Sequence, residues 1–176
     1  MQPTVFQQAL GAAFFRLPES LRRLHAAQGR FRYAGRATIE RGRNPLARLY
    51  AWSAGLPAAG SDVATVVDFD CGPRREAWRR VFGAARMTST LVLRDGLLRE
   101  RLGPLQFRFA LHANDGAIWW TVAGVRVFGL LPLPASLFDG VRCREYEQDE
   151  RYRFEVEATL PLAGRVIRYA GWLEPA

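Results

Sequence analysis

The sequence contains no lysine: all 25 of its basic residues are arginine, set against 17 acids for a formal charge of +8. An excess of that size suggests a phosphate-binding surface, but the arginines fall singly or in pairs (Arg22-Arg23, Arg74-Arg75, Arg79-Arg80) with acids between them. A nucleic-acid binder gathers its cations into a stripe or patch. With frequent Ala, Gly, Pro and Leu, the pattern reads as GC-rich coding, and no nucleic-acid partner is expected. Only two cysteines occur, Cys71 and Cys143, at no metal-ligand or CxxC spacing, so no disulfide framework and no metal site are expected. No uninterrupted apolar run reaches the roughly 18 residues of a membrane-spanning helix. The first residues lack a basic region, and Gln7, Gln8 and Arg16 interrupt the apolar stretch, so no signal peptide is read and a cytoplasmic location is expected. No phosphate loop is found, and none of Ser53, Ser61, Ser89 and Ser136 has a nucleophile-elbow context. No catalytic residues and no cofactor follow.

What is present is period-two hydrophobicity. At 176 residues with 49% hydrophobic composition, one domain spanning 1–176 is expected. Residues 1–26 read as a helical segment, with Thr4 as cap and Pro18 breaking it in two. Residues 31–173 read as a β-rich body, interrupted by a short helix near 45–54 that Asn44-Pro45 opens and Gly55 stops. Alternation predicts strands at 31–40, 63–70, 76–82, 87–94, 97–102, 105–112, 117–122, 125–130, 151–160 and 165–172. Asp95-Gly96 is the clearest hairpin signal, and Ala123-Gly124 reads as a further turn. Short connections make neighbouring strands pair antiparallel. The fold class is therefore mainly β (α+β): a long antiparallel meander forming a curved sheet, half-barrel or barrel, with short N-terminal helices packed on it.

Parity assigns faces. Tyr152 and Phe154 share an apolar side with Val156, while Arg153, Glu155 and Glu157 face away. Phe107 and Phe109 are opposed by Arg108 and His112, which places His112 on the solvated side. Two strands break the rule. Glu100 shares its side with Leu98 and Leu102, and Arg80 shares its side with Trp78 and Phe82. An unpaired charge entering an apolar interior costs several kcal/mol, so Arg80 and Glu100 are expected to pair. Trp119 and Trp120 are adjacent, so one faces inward. Residues 127–138, VFGLLPLPASLF, carry no charge and two prolines. They read as a strand end, loop and short helix over the open end of the sheet, or as an apolar lip for peripheral membrane contact. Asp68 and Asp70 read as solvated, and Glu145, Glu147, Asp149 and Glu150 as an acidic cluster between strands that neutralises neighbouring arginines.

A family resemblance rests on an ordered series of motifs. These are Leu10-Gly11 with the stretch to His25, the GLP..G turn from Gly55 to Gly60, W.R.FG at Trp78 to Gly83, ER.GPL.F.F at Glu100 to Phe109, and RYRFEVEATLPLAGRVIRYAGWL at Arg151 to Leu173. Together they resemble the bacterial domain of unknown function 4166 (DUF4166) in its standalone form. The resemblance implies a single domain, related to modules fused to reductase-type domains, and supplies no catalytic residues.

Three functional readings follow. One is a module that holds a hydrophobic or lipid-like small molecule in an apolar cavity, with Arg80, Glu100, Trp78, Trp120, Tyr152 and Phe154 as candidate ligand-binding residues. The second is an enzyme using Glu100 as acid or base. The third is a non-catalytic interaction domain partnering a reductase-type protein.

Overall fold

The computed structural model describes residues 2–176. The N-terminal segment forms α1 (Val5–Leu10), a 3-10 stretch (Gly11–Arg16) and α2 (Glu19–Ala26). Thr4 caps α1 in a reciprocal capping box with Gln7. Then come β1 (Gly29–Arg41), α3 (Pro45–Ser53), β2 (Gly60–Cys71), β3 (Glu76–Phe82), β4 (Ala85–Arg94), β5 (Leu97–Leu102), β6 (Leu105–Asn114) and β7 (Ala117–Val127). A three-residue β8 (Leu131–Leu133) and a 3-10 turn (Ala135–Phe138) lead to β9 (Gly140–Gln148), β10 (Arg151–Leu160) and β11 (Gly164–Pro175).

Ten of these strands close a ring. β1 to β7 pair in sequence order, β7 also pairs with β9, β9 with β10, β10 with β11, and β11 returns to β1. Every pairing is antiparallel, from Tyr33 opposite Pro175 to Ala117 opposite Tyr146. The half-barrel alternative is thereby resolved: the sheet is a closed antiparallel barrel, and β8 hangs outside the ring on the far half of β7. Closure pairs the strand edges that an open meander would leave unpaired.

Antiparallel succession puts alternate connections at opposite ends. At one end lie the turns 72–75, 95–96, 115–116 and 149–150, and α1 and α2 pack over them. Pro18 sits next to Gly116, with a Cβ placed there falling 3.5 Å from its ring, and Gln8 donates to the Pro73 carbonyl at 2.6 Å. We call this the capped end. At the other, the open end, lie α3, the turns 83–84, 103–104 and 161–163, and the 128–139 excursion. Helix α3 is seated by Ala47 and Ala51 against Ala163 and Val166, and Asn44 both caps it and donates to the Leu162 carbonyl.

Two expectations are corrected. Ala123-Gly124 is not a turn between strands: β7 runs through it, and Ala123 is the extra residue of a β-bulge opposite Arg108 and Phe109. Residues 140–148 are a strand, not an acidic link, so Glu145 and Glu147 belong to a sheet face. Trp120 is the inward member of its pair, as parity requires, but the outward Trp119 lies near the capped end, away from the apolar lip, with the Arg144 guanidinium 5.0 Å over its ring.

Part of the outward charge forms cross-strand pairs, which accounts for some of the scattered arginines. Arg32 faces Asp68, Arg30 faces Asp70, and Arg168 bridges Glu155 and Glu40. His112 is exposed on this outer side.

Candidate functional site

The barrel interior is not filled. It keeps a cavity of about 450 Å³ whose wall is overwhelmingly apolar. Trp78, Trp120 and Phe69 line it towards the capped end, and Leu105, Val127 and Phe138 towards the open end. Tyr50 and Ser53 of α3 complete that end of the wall.

All six residues singled out from the sequence line this one cavity. Arg80 stands on β3 and Glu100 on β5, with β4 between them. Arg80 is opposite Met87 and Glu100 opposite Leu91, four residues further along β4, so the two backbones are offset along the strand as well as across two strand spacings and only long side chains can meet. They meet because the intervening residue is Ser89, small and buried, whose hydroxyl accepts from Arg80 Nη1 at 2.8 Å while Nη2 donates to Glu100 Oε1 at 3.2 Å. The guanidinium carbon also sits 4.8 Å from the centre of the Trp78 ring. Burial works against the Arg80 charge, but the Glu100 carboxylate and the facing Tyr169 and Tyr152 phenols outweigh it, and the group titrates above its ordinary value. Burial raises the Tyr169 and Tyr152 phenols as well, keeping both protonated and able to donate. The Cys143 thiol is raised by burial and by the Glu100 charge, so it is no nucleophile at neutral pH. Trp120 Nε1 is buried in the same region without an acceptor among the protein's groups.

A second polar cluster closes the cavity floor beneath the helices. His25 from α2 lies 2.5 Å from Glu145 of β9, under the Phe6 ring, which stacks on the imidazole at 3.8 Å between centroids. Glu76 is buried beside it and accepts from Trp78 Nε1 at 2.9 Å. Burial pushes the Glu76 carboxyl above its usual range, opposed by the nearby His25 and Trp78 and reinforced by Glu145. The Cys71 thiol is likewise raised by burial and by Glu76.

The sequence reading missed this cluster. Parity with Trp78 carries Glu76 inward, and parity with Val141 and Cys143 does the same for Glu145. The His25 that pairs with Glu145, however, arrives on a helix 120 residues away in the chain. Tyr169 was also missed, although it shares its side of β11 with Ile167.

Among the described residues, no set of three or more His, Cys, Asp and Glu side chains converges as metal ligands. Asp68 and Asp70 are spent on outward ion pairs, and Glu147 accepts from the Ser20 backbone N–H at 2.8 Å, tying the first turn of α2 to β9.

Comparison with known proteins agrees with the resemblance read from the motifs. The profile of the family described as "Domain of unknown function (DUF4166)" matches residues 17–173 of the chain. A search of the curated proteins found no match.

Proposed function

We propose that this chain, which belongs to the DUF4166 family, binds a hydrophobic small molecule carrying one polar group inside its barrel. The observation that carries the reading is the unfilled interior. Protein cores pack to crystal-like density with few voids larger than a water. A cavity of about 450 Å³ has room for roughly fifteen waters at the ~30 Å³ each occupies in bulk, yet its wall offers few groups to satisfy them. Exchanging such water for an apolar molecule is favourable, and the volume falls within the roughly 300–1,000 Å³ of small-molecule sites.

The polar groups suggest how a ligand would be oriented. Arg80 is already neutralised by Glu100, so the pair presents hydrogen-bonding capacity more than net charge. With the Tyr169 and Tyr152 hydroxyls and Trp120 Nε1 nearby, the wall offers donors in excess of acceptors. That favours a ligand with an acceptor-rich end, such as a carbonyl, ester or carboxylate, and an apolar remainder lying towards Phe107 and Val156. On this reading Glu100 holds Arg80 in place and is not an acid or base in a reaction.

The test is native mass spectrometry of the freshly purified protein, together with titration by a fluorescent fatty-acid analogue. Saturable uptake with one-to-one stoichiometry, abolished by filling the cavity with Ala158→Trp in a variant of unchanged circular dichroism, is the expected result. Uptake that survives Ala158→Trp, or none in the wild-type protein, would refute it.

A further inference from the structure

Apolar side chains are distributed very unevenly over the outside of the barrel. Of the ten large hydrophobic residues that stand exposed among the described residues, nine lie at the open end, and only Phe15 lies at the capped end. They come from three separate parts of the chain. Helix α3 contributes Trp52, 78% exposed, and its neighbours. The 128–131 turn contributes Phe128 and Leu130, 74% and 84% exposed. The β10–β11 turn contributes Leu162, 90% exposed. The lip read in the sequence at 127–138 is thus one arc of a wider rim around the cavity mouth.

A second, independent observation concerns the backbone. The hairpin turns at both ends place residues in the left-handed region. At the capped end those positions are Asp95, Asp115, Asp149 and Glu150, paired with glycines at 96 and 116. At the open end, glycine occupies 83 and 103, but Phe128 has φ 51° and Leu162 has φ 63°. Bulky side chains disfavour that conformation, and glycine or asparagine would relieve it. Neither Phe128 nor Leu162 gains burial in return. Strained, unburied apolar residues at two turn tips on one rim are not explained by folding.

The charges complete the pattern. Arg43 in the β1–α3 link, Arg48 on α3, and Arg86, Arg101, Arg126 and Arg142 near the open-end termini of their strands are none of them among the arginines that form ion pairs. Of the acids of that end, Glu40 and Glu157 are held by Arg165 and Arg168, and Asp62 by Arg36. Asp139 stands against these six cations. The capped end also has exposed arginines outside any ion pair, Arg16, Arg74, Arg75 and Arg94, but there they share the surface with the acids in the turns already named.

We propose that the open end of the barrel docks on an anionic lipid bilayer, with Phe128, Leu130, Leu162 and Trp52 entering the acyl boundary and the surrounding arginines meeting lipid phosphates. A surface of exposed apolar tips inside a ring of unpaired cations is complementary to a negatively charged, apolar-cored interface and not to water. Docked in this way, the cavity mouth faces lipid. The inference concerns the outer rim and does not depend on what the cavity holds: uptake of a probe in solution reads the cavity, and vesicle flotation reads the rim.

The experiment is flotation of the full chain with vesicles of phosphatidylcholine alone and of an equimolar mixture with phosphatidylglycerol. The protein should float with the mixed vesicles and not with phosphatidylcholine alone, and raising the salt to about 0.5 M should release much of it, since charges are then screened within a few Å. Arg43→Ser with Arg126→Ser should lower partitioning on the order of 20-fold, at about fivefold for each arginine. The decisive variant is Phe128→Asn with Leu162→Asn. It should lower partitioning at least about tenfold while the urea midpoint stays unchanged or rises, because asparagine tolerates the left-handed backbone better. A merely structural role for these two residues would move the midpoint downward. Equal flotation with both vesicle types, wild-type flotation by the Asn double variant, or a dimer in sedimentation that the same variant makes monomeric would each overturn the proposal.

Discussion

Replacing Glu100 by Gln keeps the size of the side chain and an acceptor oxygen but removes the charge opposite Arg80. Breaking a buried ion pair by removing one partner costs about 3–5 kcal/mol, because the other charge is left uncompensated. Three features of this site reduce that figure. Arg80 and Glu100 retain 14% and 12% side-chain exposure towards the cavity, Ser89 still accepts from Nη1, and the Trp78 face remains under the guanidinium. The expected loss for Glu100→Gln is therefore about 2–3 kcal/mol. Removing both charges with Arg80→Met and Glu100→Leu leaves no orphan and should fall within about 1 kcal/mol of wild type, since apolar replacement of a buried pair is often neutral or better. Urea unfolding followed by tryptophan fluorescence reads both, and a double-mutant cycle completed with the single variants Arg80→Met and Glu100→Leu gives a coupling of about 3–4 kcal/mol. If Glu100→Gln is silent, or the double variant loses as much as the sum of the single ones, the two charges do not compensate each other and the account of the barrel interior fails.

Other outcomes follow from the same geometry. Glu76 is held above the usual glutamate range in the folded state, so its contribution is full below about pH 4.3 and is lost as pH rises through the folded value. The stability of Glu76→Gln relative to wild type should therefore improve from pH 4 to 7, and a pH-independent difference would contradict the buried, His25-facing placement. The Ser20 N–H holds the Glu147 carboxylate below its ordinary value, which stabilises the fold above the usual range and is lost on acidification. Glu147→Ala should cost about 1 kcal/mol at pH 7 and much less at pH 3, read by thermal unfolding. Gly35→Ala should prevent or severely weaken folding, because a Cβ there would lie 1.9 Å from the Trp172 carbonyl oxygen, whereas Gly124→Ala meets only the mobile end of Arg108 and should be mild. Circular dichroism at equal concentration separates the two. Cys71 and Cys143 should resist thiol reagents at pH 8 until the protein is unfolded, since burial raises both thiols.

Period-two alternation exposed most of the barrel in the sequence because one face of each strand is apolar. Glu76–Phe82, Leu97–Leu102 and Arg151–Leu160 have the bounds that alternation marks. β9 was hidden by its composition: Arg142, Arg144, Glu145 and Glu147 crowd four charges into a strand, and a hydrophobicity pattern cannot register a carboxylate that points inward to meet a histidine. The bulge at Ala123 imitates a turn, since Ala-Gly carries no side chain large enough to mark a face. Parity brought Arg80 and Glu100 to the same side, but that they bridge an entire strand depends on the small Ser89 lying between them. Closure itself is a long-range fact, invisible to any local window.

The seam between β1 and β11 joins residues 29–41 to 164–175. During synthesis the first strand must therefore wait for nearly the whole chain before its second neighbour emerges from the ribosome. Until then the growing sheet carries two bare edges and an uncovered greasy hollow, the condition in which strands recruit strangers. Pairing at such sequence separation is slow to form, so the hazard for this molecule falls in the last moments before the ring shuts, and nicks or truncations near the C-terminus should be felt as aggregation before they are felt as instability.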